Sequence, residues 1–174
     1  MFQLTSERLI LIPLNLNKLQ LLSQDYTLLE QSLNLEPFGV EINGAEFLEE
    51  FNQAIPNYTI PKVAENEAHF QWFTLWFVVH RAHNRGVGSI GITGLPNEQG
   101  EVMIGYFTDQ RYENQGIMTE SVQLLTDWIF QHPNAKSVIA DTLVDGIGSQ
   151  KVLQKNGFVQ DGTTEEGLRW RKNK

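Results

Sequence analysis

The sequence contains no cysteine, which excludes disulfides, thiolate catalysis and cysteine-ligated zinc. Long hydrophobic runs are missing too. None approaches the ~18–20 residues that cross a bilayer, and the longest near the N-terminus, Leu9 to Leu14, follows Glu7 and Arg8 and is too short for a secretory signal. We therefore expect a cytoplasmic protein with no membrane partner. Basic residues are scarce: 13 Lys and Arg face 21 Asp and Glu, a net charge of −8. That sign argues against a nucleic-acid partner, because a phosphate backbone rewards lysine and arginine. Repeats, low-complexity tracts and linkers are absent. What is present is ordinary for a globular chain, with 41% hydrophobic and 20% charged residues over 174 positions. A chain of this length buries roughly 70% of its unfolded surface, so we expect one domain over residues 1–174.

Much of the excess acid falls on Glu41, Glu46, Glu49, Glu50, Glu65 and Glu67, opposed there by Lys62. Two readings fit: a solvated helix face, or an acidic rim that draws in a cationic ligand.

Hydrophobic patterning predicts the elements. Leu9 to Ile12 is partly β-branched and reads as a strand closed by Pro13. Asn15 or Asn17 can cap a following helix, and Phe47, Leu48 and Phe51 share one face of a second, near 45–54. Pro56 and Pro61 suggest a connector. Trp72 to Val79, Val87 to Thr93 and Glu101 to Thr108 read as a three-stranded meander, turning at 80–85 and 95–100. After a polar loop, Met118, Val122, Leu125 and Ile129 mark a helix by their spacing. Ser137 to Leu143 is a buried strand. Asp145 is a candidate N-cap for a helix running to Asn156, stopped by Gly157. Two short strands finish the chain, near Phe158–Thr164 and Leu168–Arg171.

Two motif matches mislead. Gly86-Val87-Gly88-Ser89-Ile90-Gly91 fits G-x-G-x-x-G, but the glycines lie inside a strand and lead to Leu95-Pro96 instead of opening a helix. They are expected to let neighbouring backbone pack close. His80 and His83 form H-x-x-H beside Arg81 and Arg85, where a metal site would want carboxylates; we expect no metal. The informative stretch is Tyr112-Glu113-Asn114-Gln115-Gly116-Ile117-Met118-Thr119-Glu120. A loop entering a helix N-terminus presents unpaired N–H groups and the positive end of the helix dipole, which suits a pyrophosphate. An ordinary capped helix with Thr119 near its start is the other reading.

In order and spacing the chain resembles the GNAT acetyltransferase superfamily, within it the RimJ/RimL-like branch (ribosomal-protein-alanine acetyltransferase-like). The resemblance is carried by Thr5-Ser6-Glu7-Arg8-Leu9, Gly88-Ser89-Ile90-Gly91, Gly100 to Tyr106, Gly116 to Glu120, Ala140-Asp141-Thr142, and Ser149 with Val152 to Phe158. It implies a mixed α/β fold with a splayed, mostly antiparallel sheet of about seven strands flanked by helices. It implies acetyl-CoA as co-substrate, with pantetheine between the strands Ile104–Thr108 and Ser137–Leu143. Tyr106, Phe107 and Thr108 would contact it, and Asn114, Gln115, Gly116, Ile117, Met118 and Thr119 would cradle the pyrophosphate. Ser149 and Lys155 would complete the cofactor set. The implied activity is direct acetyl transfer, in a ternary complex, to a primary amine of a protein N-terminus or a small molecule. A catalytically weak acyl-CoA-binding sensor is the alternative.

The sequence departs from the resemblance at Glu113, where the superfamily loop has glutamine or arginine, at Met118, where it has a second glycine or alanine, and at Gly146, where the branch has asparagine; Leu153 stands where many members carry a tyrosine acid. Catalysis needs a base, an oxyanion donor and an acid. Ser149 is the candidate acid, or else a residue of a helix's first turn. Glu101 is the candidate base, or else an exposed residue after a turn, with Asp141 a second candidate; a backbone N–H near Phe107 could polarise the carbonyl. Segments around 25–70 are expected to line the acceptor side. An edge strand near the C-terminus leaves a homodimer open.

Overall fold

The computed structural model describes residues 2–165 and 167–174, Ala45 by its backbone alone. Eight strands form one sheet in the order β1-β2-β3-β4-β5-β6-β8-β7. They are β1 (Leu4–Thr5), β2 (Leu9–Pro13), β3 (Leu75–His80), β4 (Arg85–Ile92), β5 (Glu101–Thr108), β6 (Ser137–Leu143), β7 (Val159–Thr163) and β8 (Gly167–Asn173). Every neighbouring pair is antiparallel except β5 and β6. The two-residue β1 extends the sheet beyond the strands that patterning marked.

Period-2 alternation assigns each central strand to two cores. Trp76 and Val78 join Leu9, Leu11, Ile90, Val102 and Ile104 on one face, under α5 (Ile117–Ile129) and α6 (Ile147–Lys155). Phe77 and Val79 join Ile12 on the other, under α1 (Leu16–Gln24), α2 (Tyr26–Ser32) and α4 (Ile60–Glu65). A strand covered on both faces reads as an unbroken apolar run, which is why Leu75 to Val79 lacks polar residues. Met118, Val122, Leu125 and Ile129 are all buried, as their spacing predicts. Asn15 caps α1, accepting from the Lys18 N–H at 3.1 Å.

Three local expectations need correction. Trp72 belongs to a 3₁₀ turn, Glu67–Trp72, and the strand begins at Leu75. Pro56 and Pro61 do not break the chain into a connector: α3 (Ala45–Ala54) runs through a π-turn, Ile55–Thr59, into α4. Each proline falls in the first turn of its element, where its missing N–H is tolerated. Gly146, not Asp145, precedes α6, with no side-chain cap; a Cβ there would lie 3.1 Å from the Leu143 carbonyl. Gly157 does end α6, at φ +79°. The strand glycines serve close packing: a Cβ at Gly86 would meet the Phe77 ring at 2.2 Å, and one at Gly88 the Phe107 carbonyl at 2.5 Å.

Candidate active site

β5 and β6 pair only at Glu101↔Ser137, Val102↔Val138 and Met103↔Ile139. Beyond that point β5 stays bonded to β4 as far as Thr108, and β6 to β8 as far as Leu143, so the sheet opens into a V. Thr93 N–H donates to the Met103 carbonyl at 3.2 Å and Asp109 N–H to the Val87 carbonyl at 2.9 Å. Residues 103, 105, 107 and 109 therefore direct their backbone groups to β4. Those of Tyr106 and Thr108 turn into the V. Phe107 does not: it pairs opposite Ser89, which corrects the expectation of a free N–H there.

On the α5–α6 side, the Ser149 hydroxyl donates to the Tyr106 hydroxyl at 2.9 Å, and the Tyr106 hydroxyl donates to the Ser149 carbonyl at 3.0 Å. Burial pushes the Tyr106 phenol well above its ordinary value, so it keeps its proton.

The loop after β5 leads into α5 with Asn114 at φ +59° and Gly116 at φ +76°. Gly116 precedes the helix without a side-chain cap, which leaves the first amides of α5, at Ile117, Met118 and Thr119, without intrahelical acceptors. Ile117 and Met118 bury their side chains and offer this cradle only their N–H groups. Thr119 lends its carbonyl to the Asn156 amide at 3.1 Å, tying α5 to the end of α6. Gln115 donates to the Arg111 carbonyl at 3.0 Å. Lys155 lies exposed in the last turn of α6. Glu113, the residue of unfavourable charge, accepts from the Asn43 amide at 3.0 Å and so turns toward the segment before α3.

Two carboxylates brace this loop. Asp109 has no exposed side chain; it accepts from Arg111 Nε at 2.9 Å, Arg111 Nη2 at 2.6 Å and the Glu41 N–H at 2.9 Å. Burial alone would raise its pKa, but these bonds outweigh burial and lower it. Glu120 in the first turn of α5 accepts from Ser6 and from Arg8, whose Nε lies 2.8 Å away. Burial again opposes, and the bonds prevail, lowering Glu120. Arg8 also donates to the Gln115 carbonyl at 3.2 Å, and its Nη2 lies 3.6 Å from where a Gly116 Cβ would stand. A guanidinium thus sits beside the cradle.

The opposite side of β4–β5 holds an apolar pocket of about 330 Å³, walled by Phe47, Phe51, Phe73 and Phe107 with Gly105 at its floor and Glu50 on its lining. Phe51 meets Phe107 edge-on at 4.8 Å between ring centres.

A V-shaped opening between parallel strands, followed by a left-handed glycine and an uncapped helix, is the arrangement that the resemblance requires. Residues 8–159 match the acetyltransferase (GNAT) domain family. The chain belongs to the GNAT acetyltransferase family. It is 28% identical over 165 residues to the uncharacterized N-acetyltransferase YjdG of Bacillus subtilis (strain 168), covering 92% of this chain and 97% of that one. The fold is shared with RimL, a ribosomal L7/L12 alpha-N-protein acetyltransferase solved in complex with coenzyme A. That likeness has a TM-score of 0.69 at 16% identity, covering 99% of this chain and 98% of RimL. A ribosomal-protein-S5-alanine acetyltransferase from Vibrio fischeri gives 0.68 at 18%, over 99% and 97%.

In this acetyltransferase Ser149, Tyr106 and Thr108 come together at the V, with the loop 114–119 opening α5. Glu101 does not join them. It lies at the closed end of the V, five residues before Tyr106 or about 17 Å along the strand, bound to Arg171 at 2.7 Å and to the Asn97 amide at 3.1 Å. Those bonds lower its pKa and make it a poor base. Asp141 is held by Arg169 through both oxygens, at 2.9 and 2.8 Å. His80 and His83 stack at 4.1 Å, and His83 Nδ1 bonds the Tyr112 hydroxyl at 2.7 Å. No cluster of metal-ligating side chains occurs among the described residues, and no helix among them is long and apolar enough to cross a membrane. Sequence reasoning missed Arg8 as a site residue. It stands 108 positions before Gly116, beyond any local spacing rule.

Proposed function

We propose that this protein is a single acetyl-CoA-dependent N-acetyltransferase domain that passes the acetyl group directly to a primary amine, of a protein N-terminus or a small molecule, within a ternary complex. The observation that carries the reading is the V, into which the backbone groups of Tyr106 and Thr108 turn beside the Tyr106–Ser149 hydroxyl pair. Those amides suit pantetheine as an added strand, and the N–H groups from Asn114 to Thr119, with Arg8 as counter-charge, suit a pyrophosphate. The Thr119 hydroxyl and Lys155 complete the proposed cofactor contacts.

The reaction joins the amine nitrogen to the thioester carbonyl carbon, breaks the C–S bond and leaves a thiolate that must gain a proton. The Ser149 hydroxyl is the proposed donor, and Tyr106, which keeps its own proton, orients it; the attacking amine sheds one proton to water, and water returns one to Ser149, so the products are the amide and the CoA thiol. An N–H of Tyr106 or Thr108 polarises the carbonyl. With no cysteine in the chain, no thiol can carry the acetyl group, in keeping with direct transfer. Family membership makes a ribosomal-type N-terminus one acceptor to try, since RimL is a ribosomal L7/L12 alpha-N-protein acetyltransferase.

Thermal denaturation with acetyl-CoA, CoA, ATP and NAD tests the cofactor. A ligand at ~100 times its dissociation constant adds about 2.7 kcal/mol and lifts the midpoint by several degrees. Release of free CoA in the presence of amines tests transfer. A shift with acetyl-CoA and CoA, plus amine-dependent CoA release, is the expected result. Binding without release would leave an acyl-CoA-binding sensor, and no shift at millimolar acetyl-CoA would overturn the cofactor reading.

A further inference from the structure

We infer that the acceptor carries its amine beside a large apolar group, aromatic or branched aliphatic, which seats in the pocket between α3 and β4–β5; this rests on the acetyl-transfer reading above. Tyr106 borders the pocket and carries its hydroxyl to Ser149 on the other face of the sheet, so the amine of a group held in the pocket would reach the proposed transfer site through the open V between β5 and β6. The pocket's about 330 Å³ exceeds the roughly 150 Å³ of an engineered cavity that takes up benzene, leaving space for a ring and its linking carbons.

Four hydroxyls of the lining are already engaged, and that of Tyr58 belongs to an exposed residue at the rim. The hydroxyls of Thr59, Thr74, Ser89 and Thr93 each bond a backbone carbonyl, of Ala54, Leu14, Trp76 and Met103 in turn. A polar substrate side chain would thus lose water and gain few partners. Glu50 is the single charged residue among the described lining residues, exposed on α3 and of the sign that attracts one ammonium. A polyamine, whose second cation would need a second acidic partner, finds none in this lining. Phe47 and Phe51 lie on α3 without full burial: Phe47 is 41% exposed, and both rings lean on Phe107. These aromatics wall a pocket instead of filling a core.

The test separates binding from turnover. Phenylalaninamide, 2-phenylethylamine, glycinamide and spermidine are titrated calorimetrically into the CoA-saturated protein. The two aromatic amines are expected to bind at least tenfold more tightly than the other two. Phenylalaninamide ahead of 2-phenylethylamine points to a peptide N-terminus, and the reverse order to a small amine. The floor is then filled by Gly105→Leu, where an added Cβ meets nothing within 4 Å. That variant is expected to lose the aromatic preference tenfold or more while its acetyl-CoA-dependent melting shift persists, which certifies the fold. Equal or tighter binding of spermidine or glycinamide, no binding of the aromatic amines, or an unaltered preference in Gly105→Leu would overturn the inference. Aromatic binding without CoA release on adding acetyl-CoA would instead sink the transfer reading.

Discussion

Ser149 and Tyr106 are joined twice, hydroxyl to hydroxyl at 2.9 Å and Tyr106 hydroxyl to Ser149 carbonyl at 3.0 Å. The second bond holds the phenol against the first turn of α6 while the first aims the serine. Leu153, at the position where the resemblance implies a tyrosine acid, is fully buried here. Ser149→Ala and Tyr106→Phe are each expected to lower kcat by about 10²-fold, with acetyl-CoA affinity changed less than about threefold. Because burial keeps Tyr106 protonated, Tyr106→Phe should leave the alkaline limb of the pH–rate profile where it was. A kcat that survives both substitutions places the proton donor elsewhere.

Arg8 is expected to act on binding alone. Arg8→Ala removes the guanidinium beside Gly116 and frees the Glu120 carboxylate at the same helix end. Acetyl-CoA should bind about tenfold more weakly, a change of about 1.4 kcal/mol, with a flatter salt dependence and little loss of kcat at saturation. Titration calorimetry at two ionic strengths decides it.

Glu101 is expected to contribute to structure and not to proton transfer. Glu101→Gln should leave kcat and its pH profile within about threefold of the parent, since the carboxylate is committed to Arg171 and Asn97. A kcat collapse with unchanged melting temperature would restore it as the base.

Acid should loosen the fold through Asp109. Its folded pKa lies below the ordinary aspartate value, so its ionised form stabilises the native state at neutral pH. That contribution is complete above the unfolded pKa of about 3.9 and is lost as pH falls through the lower, folded value. Asp109→Asn weakens the bonds to Arg111 and should cost about 2–3 kcal/mol at pH 7. Urea midpoints of parent and variant should draw together as pH falls below about 3.9. A constant gap between them would remove Asp109 from the account.

Periodicity made the helices and central strands legible. The face of α5 repeats at 4, 3 and 4 residues, and β6 and α3 follow the patterns of their apolar residues. Pro56 and Pro61 misled because local rules ignore a helix that widens to a π-turn around them. The loop at Asn114–Thr119 was readable because a helix N-terminus is a local feature. The partners of Glu101, Asp109 and Arg8 were not, since each lies across the sheet or far along the chain. Pairing of that kind follows from register, and register comes from packing of whole strands.

Asp109 grips two segments at once, the Glu41 amide before α3 and the Arg111 guanidinium that opens the loop toward Gly116. On the proposed reading, sequence change at this knot would disturb amine and cofactor sides together. Phe47 and Phe51, one and two helical turns beyond Gly44, are outside that linkage. By the same reading, substitutions on α3 would retune which amine is accepted and leave the acetyl-CoA side unaltered.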